Sequence, residues 1–477
     1  MSATPEVFAP PRLPTLPWAS LPVPAFYATL AAASLHLLTS QSLEAALLGS
    51  SLALAVLVAP LEYAVGAWAA AFLAAASSEL RNEFLLVRWL VLAFSVVALT
   101  LRFFLRRRAG SSHLTKFTYL LLAFLGVSGV TTTTTMAPVL TDLKLGAVIC
   151  VFYLSSRAGS QLVDSYGPSS ARKLTWGLLA YSLAFVAVAA PGYLLSPADS
   201  TRFFGNPNTW AALLATVLPW VASPLFRRFR QTGVKLGALA GCFLFGCYLL
   251  LLSGSRAAML GVLLAVTVFC LIHANRRIGA AVLLTSVLIT ARVLTNPDAL
   301  SNFSRQYLYK HKVRDAQTNL FESRVQPWEA AMANFEEHPW LGLGFGVTNK
   351  GEAAWSAEVG SWYATETGGS FWGTLSQVGA LGSAPLFLAI LMLLIEAGRF
   401  AWKVRDPWLT GVYGSVLALT VNAIFEGWLI APGNFIGIYF WMQCFFLNAL
   451  ICRFRPAPSR SPALSAPPPS AWADRSR

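Results

Sequence analysis

The stretch that decides the fold is WGTLSQVGALGSAPLFLAILMLLIE, residues 372–396. It contains one ionisable side chain, that of Glu396. A helix needs roughly 20 predominantly apolar residues to cross the hydrocarbon core of a bilayer, and this stretch supplies them. Residues 372–396 therefore predict a transmembrane helix.

Composition extends this prediction to the whole chain. Of the 477 residues, 56% are hydrophobic and 12% are charged, whereas soluble globular chains have about 45–50% apolar and about 25% charged residues. A cytosolic enzyme, a disordered protein and a secreted disulfide scaffold are thereby excluded. The six cysteines lie within or at the ends of apolar runs and the five histidines form no cluster, so neither a disulfide framework nor a metal site is indicated.

Fourteen apolar runs divide the chain. They lie at about 21–38, 43–59, 62–77, 84–104, 117–133, 142–156, 174–195, 208–226, 236–252, 257–272, 278–294, 372–396, 408–428 and 433–451. The predicted organisation is a tail at 1–20, transmembrane helices 1–11 within 21–294, a long loop at 295–371, transmembrane helices 12–14 within 372–452 and a tail at 453–477. Both tails are rich in proline and are expected to be disordered. The expected fold class is an all-α polytopic membrane protein with about 14 transmembrane helices.

The net charge of +14 is interpreted as a signal for the orientation of the chain in the membrane, and not as evidence of nucleic-acid binding. Basic residues concentrate in alternate short connections, which hold Arg106, Arg107, Arg108 and Lys116; Arg157, Arg172 and Lys173; Arg227, Arg228, Arg230 and Lys235; Arg276 and Arg277; and Arg399, Lys403 and Arg405. The other connections hold little beyond Arg81, Lys144, Arg202 and Arg256. The positive-inside rule places the first set and both termini in the cytoplasm, and the 295–371 loop on the outer face.

The outer loop contains a candidate amphipathic helix at 325–337, VQPWEAAMANFEE. Trp328, Ala331, Met332 and Phe335 fall on one stripe at helical spacing, which predicts a helix near the membrane surface. His338, Pro339 and the glycines of LGLGFG are expected to end it. A loop of this length is usually functional and not a plain connector.

Five ionisable residues fall on the predicted outer face: Arg202, Arg256, Arg324, Glu366 and Glu426. Guanidinium groups bind phosphate bidentately, and a carboxylate can accept the proton of a hydroxyl. Together they would suit transfer from a phosphate-linked donor to an alcohol. The alternatives are snorkelling interface anchors for Arg202 and Arg256 and solvated surface charges for Arg324 and Glu366.

Two further patterns on this face have structural explanations as well as functional ones. The run Asn206-Pro207-Asn208 is explained as a turn in which Asn208 caps the following helix. The aromatic residues of the late loop form either an interface belt or a sugar-stacking platform; they are Trp355, Trp362, Tyr363, Phe371 and Trp372.

Four motifs in order resemble the O-antigen ligase and polymerase superfamily. They are FFGNPNTWAALLATVLP from residue 203, SGSRAAMLGVLLAV from 253, RVQPWEAAMANFEEHPWLGLGFG from 324, and SQVGALG from 376. Their order and spacing match, as does the long outer loop before the last motif, and the resemblance covers roughly residues 200–385.

The resemblance implies a membrane glycosyltransferase of GT-C-like architecture in the bacterial plasma membrane, with its active site on the outer face. Such enzymes move a glycan from undecaprenyl pyrophosphate to a glycan or lipid acceptor, with neither nucleotide nor metal, so no cofactor is expected. Arg202, Arg256 and Arg324 match the family's arginines; they would hold the pyrophosphate and stabilise it as a leaving group, with Arg256 as a catalytic candidate. Asn206 and Asn208 belong to the matching turn and count as substrate-binding candidates, together with Glu426.

One departure from the ligase pattern changes the expected base. Ligases carry a His-Asn pair ten and nine residues before the glycine that matches Gly379, where this chain has Gly369 and Ser370. The stretch ETGGSFWGTLSQVGALG instead resembles an exopolysaccharide-polymerase branch with a Glu-x-Gly-x-Ser pattern, which Glu366 and Ser370 fill. This resemblance implies that Glu366 is the general base or orients the acceptor hydroxyl. It also implies that Ser370 contacts the substrate and that polysaccharide export machinery is a partner.

The predicted function is thus a polysaccharide polymerase or ligase acting on an undecaprenyl-pyrophosphate-linked glycan. The alternatives are a polytopic transporter or flippase and a non-catalytic membrane scaffold. A transporter usually shows internal repeats and broken helices with charges at the membrane midplane, and no clear internal repeat is present.

Overall fold

A computed structural model describes residues 93–98, 100–101, 115–133, 139, 141–160, 163, 207–228, 234–253, 255–273, 322–347, 369–432 and 434–454. Regular secondary structure in these residues is helical. The helices with defined bounds are α1 (Lys116–Thr132), α2 (Pro207–Arg228), α3 (Val234–Ser253), α4 (Arg256–His273), α5 (Glu322–Glu337), α6 (Ser370–Val404), α7 (Pro407–Phe425) and α8 (Phe435–Phe454). Residues 141–160 are helical as well and are called the 141–160 helix.

The described helices agree with the predicted all-α membrane architecture. Four of them are long and apolar enough to cross a bilayer, namely Arg256–His273, Ser370–Val404, Pro407–Phe425 and Ile436–Arg453. Leucines and isoleucines along one face of α6 are exposed, among them Leu381, Leu388, Leu391 and Ile395. The predicted runs at 21–38, 43–59, 62–77, 174–195 and 278–294 lie outside the described residues, and the run at 84–104 does so in large part.

Helices α4 and α7 pack antiparallel along a ladder of residues spaced four apart. His273 Nε2 lies 2.8 Å from Thr410 Oγ1 at one end. Further along, Gly414 faces Ala265 and Phe269, and a Cβ at Gly261 would meet the Ala418 carbonyl. Residues at i and i+4 share one face of a helix, so the next step of the ladder brings Asn422 level with the first turn of α4.

Several helix termini therefore meet at one end of the bundle, which we call the Arg256 end. Five residues, 229–233, join α2 to α3, and two join α3 to α4. Connections this short cannot return along the length of a helix, so α2, α3 and α4 run in alternating directions. The starts of α2 and α4 therefore share this end. Gly369, before α6, packs on the Ile424 carbonyl near the end of α7, and Gly437, near the start of α8, packs on the Trp428 carbonyl. The sequence predicts that this end faces outward.

A second group of helices packs through aromatic side chains. Phe117 of α1 lies edge-on to Phe445 of α8, with ring centroids 5.2 Å apart. Phe152 of the 141–160 helix lies 4.5 Å from Trp441, centroid to centroid. A Cβ at Gly159 would approach the Phe445 backbone to 3.0 Å, so this helix and α8 pack with little space between their backbones. Small and aromatic residues together close this part of the core.

Helix α6 is broken at Gly379, and the turn after α5 fills the break. Gly379 has φ 59° and ψ −166°, outside the helical region. The Leu343 and Gly344 N–H groups donate to the carbonyls of Ser376 and Gln377 at 2.9 and 2.8 Å. The Ala380 and Leu381 N–H groups donate to the carbonyls of Pro339 and Trp340 at 2.8 and 3.1 Å. The backbone groups freed by the break are thereby paired again, as buried peptide groups require.

Two glycines make this junction sterically possible. A Cβ at Gly379 would overlap the Trp340 backbone, and one at Gly342 would overlap the Gln377 backbone. Gly342 also has a positive φ of 69°. Side chains at φ > 0 are strained, so each position favours glycine for its backbone angle and for its space.

The predicted run at 408–428 corresponds to α7, which ends at Phe425, and Glu426 follows it in an extended conformation. Two local predictions are corrected. Asn208 was expected to cap α2, but α2 begins at Pro207, so Asn208 lies inside its first turn; proline fits the first helical position because that position needs no N–H. Lys144 was assigned to a connection, but it lies in the 141–160 helix and is fully buried.

Replacing Gly379 with alanine should strongly destabilise the fold. The variant combines φ > 0 strain with overlap on the Trp340 backbone, so we expect a loss of at least about 2 kcal/mol and a lower melting temperature. Thermal unfolding of the purified chain, followed by size-exclusion chromatography, measures this. Gly126→Ala is the control, because a Cβ there meets nothing within 4 Å. Equal stability of the two variants would contradict the proposed junction.

Candidate functional site

Arg256 is the first residue of α4, at a helix N-terminus whose first turn holds no acidic residue. The N-terminus of a helix carries a partial positive charge, and its first N–H groups have no acceptor within the helix. The Met259 N–H bonds back to the Ser255 carbonyl at 3.1 Å, so the N–H groups of Ala257 and Ala258 point out of the helix end. The helix terminus therefore favours an anion, and Arg256 adds a full positive charge to the first turn of α4.

Ser370 is the first residue of α6, and its hydroxyl organises the chain that follows α7. Its Oγ donates to the Glu426 carbonyl at 2.8 Å. The same Oγ accepts the N–H groups of Trp428 and Leu429, each at 3.0 Å. One donated and two accepted bonds use the full capacity of a hydroxyl. Ser370 thus fixes the backbone of residues 426–429, and with it the backbone of Glu426.

Two tryptophans stabilise the same turn from either side. Trp428 Nε1 donates to Asn422 Oδ1 at 2.9 Å. Trp441 Nε1 of α8 donates to the Leu429 carbonyl at 2.7 Å. Both indoles are buried, and the rings of Trp428 and Phe440 meet edge to face with centroids 5.4 Å apart. The turn after α7 is therefore held in one conformation by side chains of α6, α7 and α8.

Helix α5 is attached to the Arg256 end through Trp328. The Trp328 ring lies 6.0 Å from that of Trp372 on α6 and 5.8 Å from that of Phe425 at the end of α7. Ala331, on the same predicted stripe, is buried. Arg324 is one helical turn before Trp328, so its backbone lies about 6 Å along α5 from this aromatic cluster. The predicted amphipathic helix is confirmed at 322–337; its position at a membrane surface stays a prediction.

Sequence-distant candidates therefore gather at one end of the bundle. Arg256, Ser370, Glu426 and the half-buried Asn208 occupy helix termini there, and α5 brings the Arg324 backbone to the same end. Arg202, Asn206 and Glu366 lie outside the described residues. Their predicted roles, like the roles of the gathered residues in binding and catalysis, stay predictions.

Two buried polar residues were not singled out as candidates from the sequence. Asn422 is fully buried, and its Oδ1 accepts the Trp428 indole N–H. Lys144 is fully buried, with Nζ 5.1 Å from the centroid of the Phe345 ring, close enough for a cation–π interaction. Buried polar and ionisable side chains in membrane helices are costly, so each is a candidate functional residue by default.

Comparison with known proteins gives one match. The model of a family described as O-antigen ligase matches residues 241–368, just over a quarter of the chain. No curated protein matches the chain. The match confirms the resemblance to the O-antigen ligase and polymerase superfamily, and Arg256, Arg324 and Glu366 lie inside it. With the apolar helices it indicates a multi-pass membrane protein with ligase-like or polymerase-like glycosyltransferase activity.

Replacing Trp328 with alanine should loosen α5 and lower activity. The change removes the ring between Trp372 and Phe425, which we expect to cost about 1–3 kcal/mol of local stability. Hydrogen–deuterium exchange of 322–337 measures the loosening. Trp340→Ala is the matched control, because the Trp340 side chain is 66% exposed. Unchanged exchange in the Trp328 variant would contradict the docking role.

Proposed function

We propose that the chain is a membrane glycosyltransferase that moves a glycan from undecaprenyl pyrophosphate to a hydroxyl acceptor on the outer face of the bacterial plasma membrane. The observation that carries the proposal is the meeting of Arg256, Ser370, Glu426 and the Arg324-bearing helix at one end of the bundle. The family match supports it, since it covers the segment with Arg256 and Arg324. The GT-C-like architecture, the count of 14 helices and both cytoplasmic termini are parts of the same proposal.

The arginines act on the leaving group. When the bond between the sugar's anomeric carbon and the pyrophosphate breaks, the electron pair leaves with the pyrophosphate oxygen. Arg256, at the positive end of α4, stabilises that charge, and Arg202 and Arg324 supply further guanidinium groups. Asn206 and Asn208 contact the donor near the start of α2. Cleavage of the bond between the sugar and the pyrophosphate itself drives transfer, so no nucleotide or metal is required.

Glu366 acts on the acceptor. Its carboxylate takes the proton of the acceptor hydroxyl as the new carbon–oxygen bond forms. Glu366 lies four residues before Ser370, so the Ser370 hydrogen bonds anchor the end of the segment that carries it. Glu426, on the turn that Ser370 holds, contacts the bound glycan.

A polymerase is favoured over a lipid A-core ligase. The ligase histidine and asparagine are replaced by Gly369 and Ser370, and the Ser370 hydroxyl is committed to backbone groups. Gly369 has φ 141° and packs against the Ile424 carbonyl, so a histidine there would be strained. The acceptor is then another lipid-linked glycan, and the polysaccharide export machinery is the next partner.

A transporter or flippase is the second candidate, because α6 is broken and broken helices are common in transporters. In transporters the unpaired backbone groups at such a break coordinate the substrate or ion. Here the carbonyls of Ser376 and Gln377 and the N–H groups of Ala380 and Leu381 are paired with the 339–344 turn. The break therefore serves to attach the turn, which favours the enzyme.

Arg256→Ala should abolish long polymer in cells while protein level stays normal. Loss of a preorganised charge at the leaving group is expected to cost about a hundredfold or more in rate, and Arg256→Lys should restore part of it. Gel analysis of the polymer and mass spectrometry of the lipid carrier measure this. Short repeats should accumulate on the carrier at the outer face. Accumulation at the cytoplasmic face would favour the flippase. Arg399→Ala, near the opposite end of α6, is the control.

Glu366→Gln should remove the base while leaving donor binding intact. We expect the rate constant of transfer to fall by about 10²–10⁴-fold, with little change in the KM for the donor. Reconstituted enzyme with a lipid-linked glycan measures both constants. Glu358→Gln, in the same outer segment, serves as the matched control. Full activity of the Glu366 variant would refute the assignment of the base.

A further inference from the structure

The turn after α5 exposes two large apolar side chains. Trp340 is 66% exposed and Leu341 is 41% exposed, although the backbone of this turn is bound to α6. Leu381 of α6 is exposed beside them, since its N–H donates to the Trp340 carbonyl at 3.1 Å. Single exposed apolar side chains need no explanation, but adjoining ones mark a contact surface. We call Trp340, Leu341 and Leu381 the turn patch.

The turn patch continues the exposed face of α6. Leu388, Leu391 and Ile395 are exposed on this helix as well. They follow Leu381 at steps of seven, three and four residues, which keeps all four on one face of a helix. Since α6 is long and apolar enough to cross a bilayer, this exposed face is the one available to acyl chains.

The length of α6 gives the depth of the turn patch. Arg399 is exposed and is the first basic residue of α6, and the acidic Glu396 lies within one turn of it. About 20 residues separate Gly379 from Arg399, which is roughly 30 Å of helix and equals the thickness of the hydrocarbon core. With Arg399 at one edge of the core, Gly379 and the turn bound to it lie at the opposite edge. That edge belongs to the leaflet at the Arg256 end, because Ser370 begins α6 at that end.

The side chains around the turn change from charged to apolar over five positions. Glu337 and His338 are exposed, and Trp340 and Leu341 follow after a proline. A tryptophan ring has an apolar body and a polar N–H, and it therefore favours the interface between membrane and water. The order of residues thus matches a passage from water into the edge of the leaflet.

Helix α5 itself directs part of its predicted stripe elsewhere. Trp328 packs against Trp372 and Phe425, and Ala331 is buried. These two residues face the bundle and are not available to lipid. Among the described residues of the outer segment, the turn is therefore better placed than this part of the stripe to contact the membrane.

We propose that Trp340 and Leu341 insert into the leaflet at the Arg256 end and bind phospholipid, with the Trp340 ring among the headgroups and Leu341 against acyl chains. The backbone of the turn, and not the Trp340 ring, holds α5 to α6. The lipid contact therefore sets the depth of a junction that is already complete. It keeps the helix that carries Arg324 beside the leaflet. The inference requires a bilayer around α6 but does not require glycosyl transfer.

Photo-cross-linking from the turn tests this contact. The photoreactive residue p-benzoylphenylalanine is placed at Trp340, and in a second variant at Leu341, in the full chain in bacterial membranes. After irradiation, mass spectrometry identifies what each position has captured. Glu337, whose side chain is 72% exposed, is the matched control on the polar side of the turn. Leu388, on the exposed face of α6, is the reference position for acyl-chain contact.

We expect phospholipid adducts at Trp340 and Leu341 in yields similar to that at Leu388. These yields should be roughly tenfold or more above the yield at Glu337, because a charged position beside the leaflet remains in water. Equal phospholipid yields at Trp340 and Glu337 would overturn the inference. Cross-links from Trp340 and Leu341 to another segment of the chain, or to a second copy, in place of phospholipid would also overturn it.

A separate measurement tests the orientation that the proposed function requires. Spheroplasts carrying Glu337→Cys are treated with a membrane-impermeant maleimide, and the native chain serves as the blank. Labelling of intact spheroplasts supports an outward-facing Arg256 end. Labelling only after permeabilisation would refute that orientation, and the cross-linking result would still decide whether the turn contacts lipid.

Discussion

The constraint on which the site depends is the pairing of backbone groups where α6 breaks. An interrupted helix exposes N–H and C=O groups that an apolar interior cannot solvate, so another segment must supply partners. The turn after α5 does so through Leu343, Gly344, Pro339 and Trp340. Its Phe345 and Gly346 N–H groups continue the contact, donating to Thr131 Oγ1 and Gln377 Oε1. The segment that holds α5 and the turn after it is thereby fixed to the helical bundle at a defined place.

The attachment of this turn to α6 also holds α5 against the Arg256 end. Once the C-terminal end of α5 is joined to α6, the Trp328 ring sets the other end of α5 against Trp372 and Phe425. The start of α6 is joined to the end of α7 by the Ser370 hydrogen bonds. The helix that carries Arg324 is therefore part of the scaffold and not a hinged cover. Such rigidity suits electrostatic stabilisation, which requires charges that are positioned before the reaction.

Much of the helical framework could be predicted from the sequence, because hydropathy reports directly on spans. The predicted span at 257–272 corresponds to α4, and the predicted helix at 325–337 corresponds to α5. The break in α6 could not be predicted, because Gly379 lies in a stretch without ionisable residues that is long enough for one span. The residues that pair with the broken turn are more than 30 positions earlier in the chain. The role of Ser370 depends on neighbours more than 50 residues away, which composition and periodicity do not encode.

The central claim is that a glycosidic bond forms at the Arg256 end as the bond between the glycan and the lipid pyrophosphate breaks. The most direct measurement uses the purified full chain in proteoliposomes with an undecaprenyl-pyrophosphate-linked glycan, without nucleotide. The glycosidic bonds formed and the free undecaprenyl pyrophosphate released are both counted. The account predicts equal numbers of the two, with both lost in Arg256→Ala. Translocation of the lipid-linked glycan across the bilayer with no bond formed would contradict it.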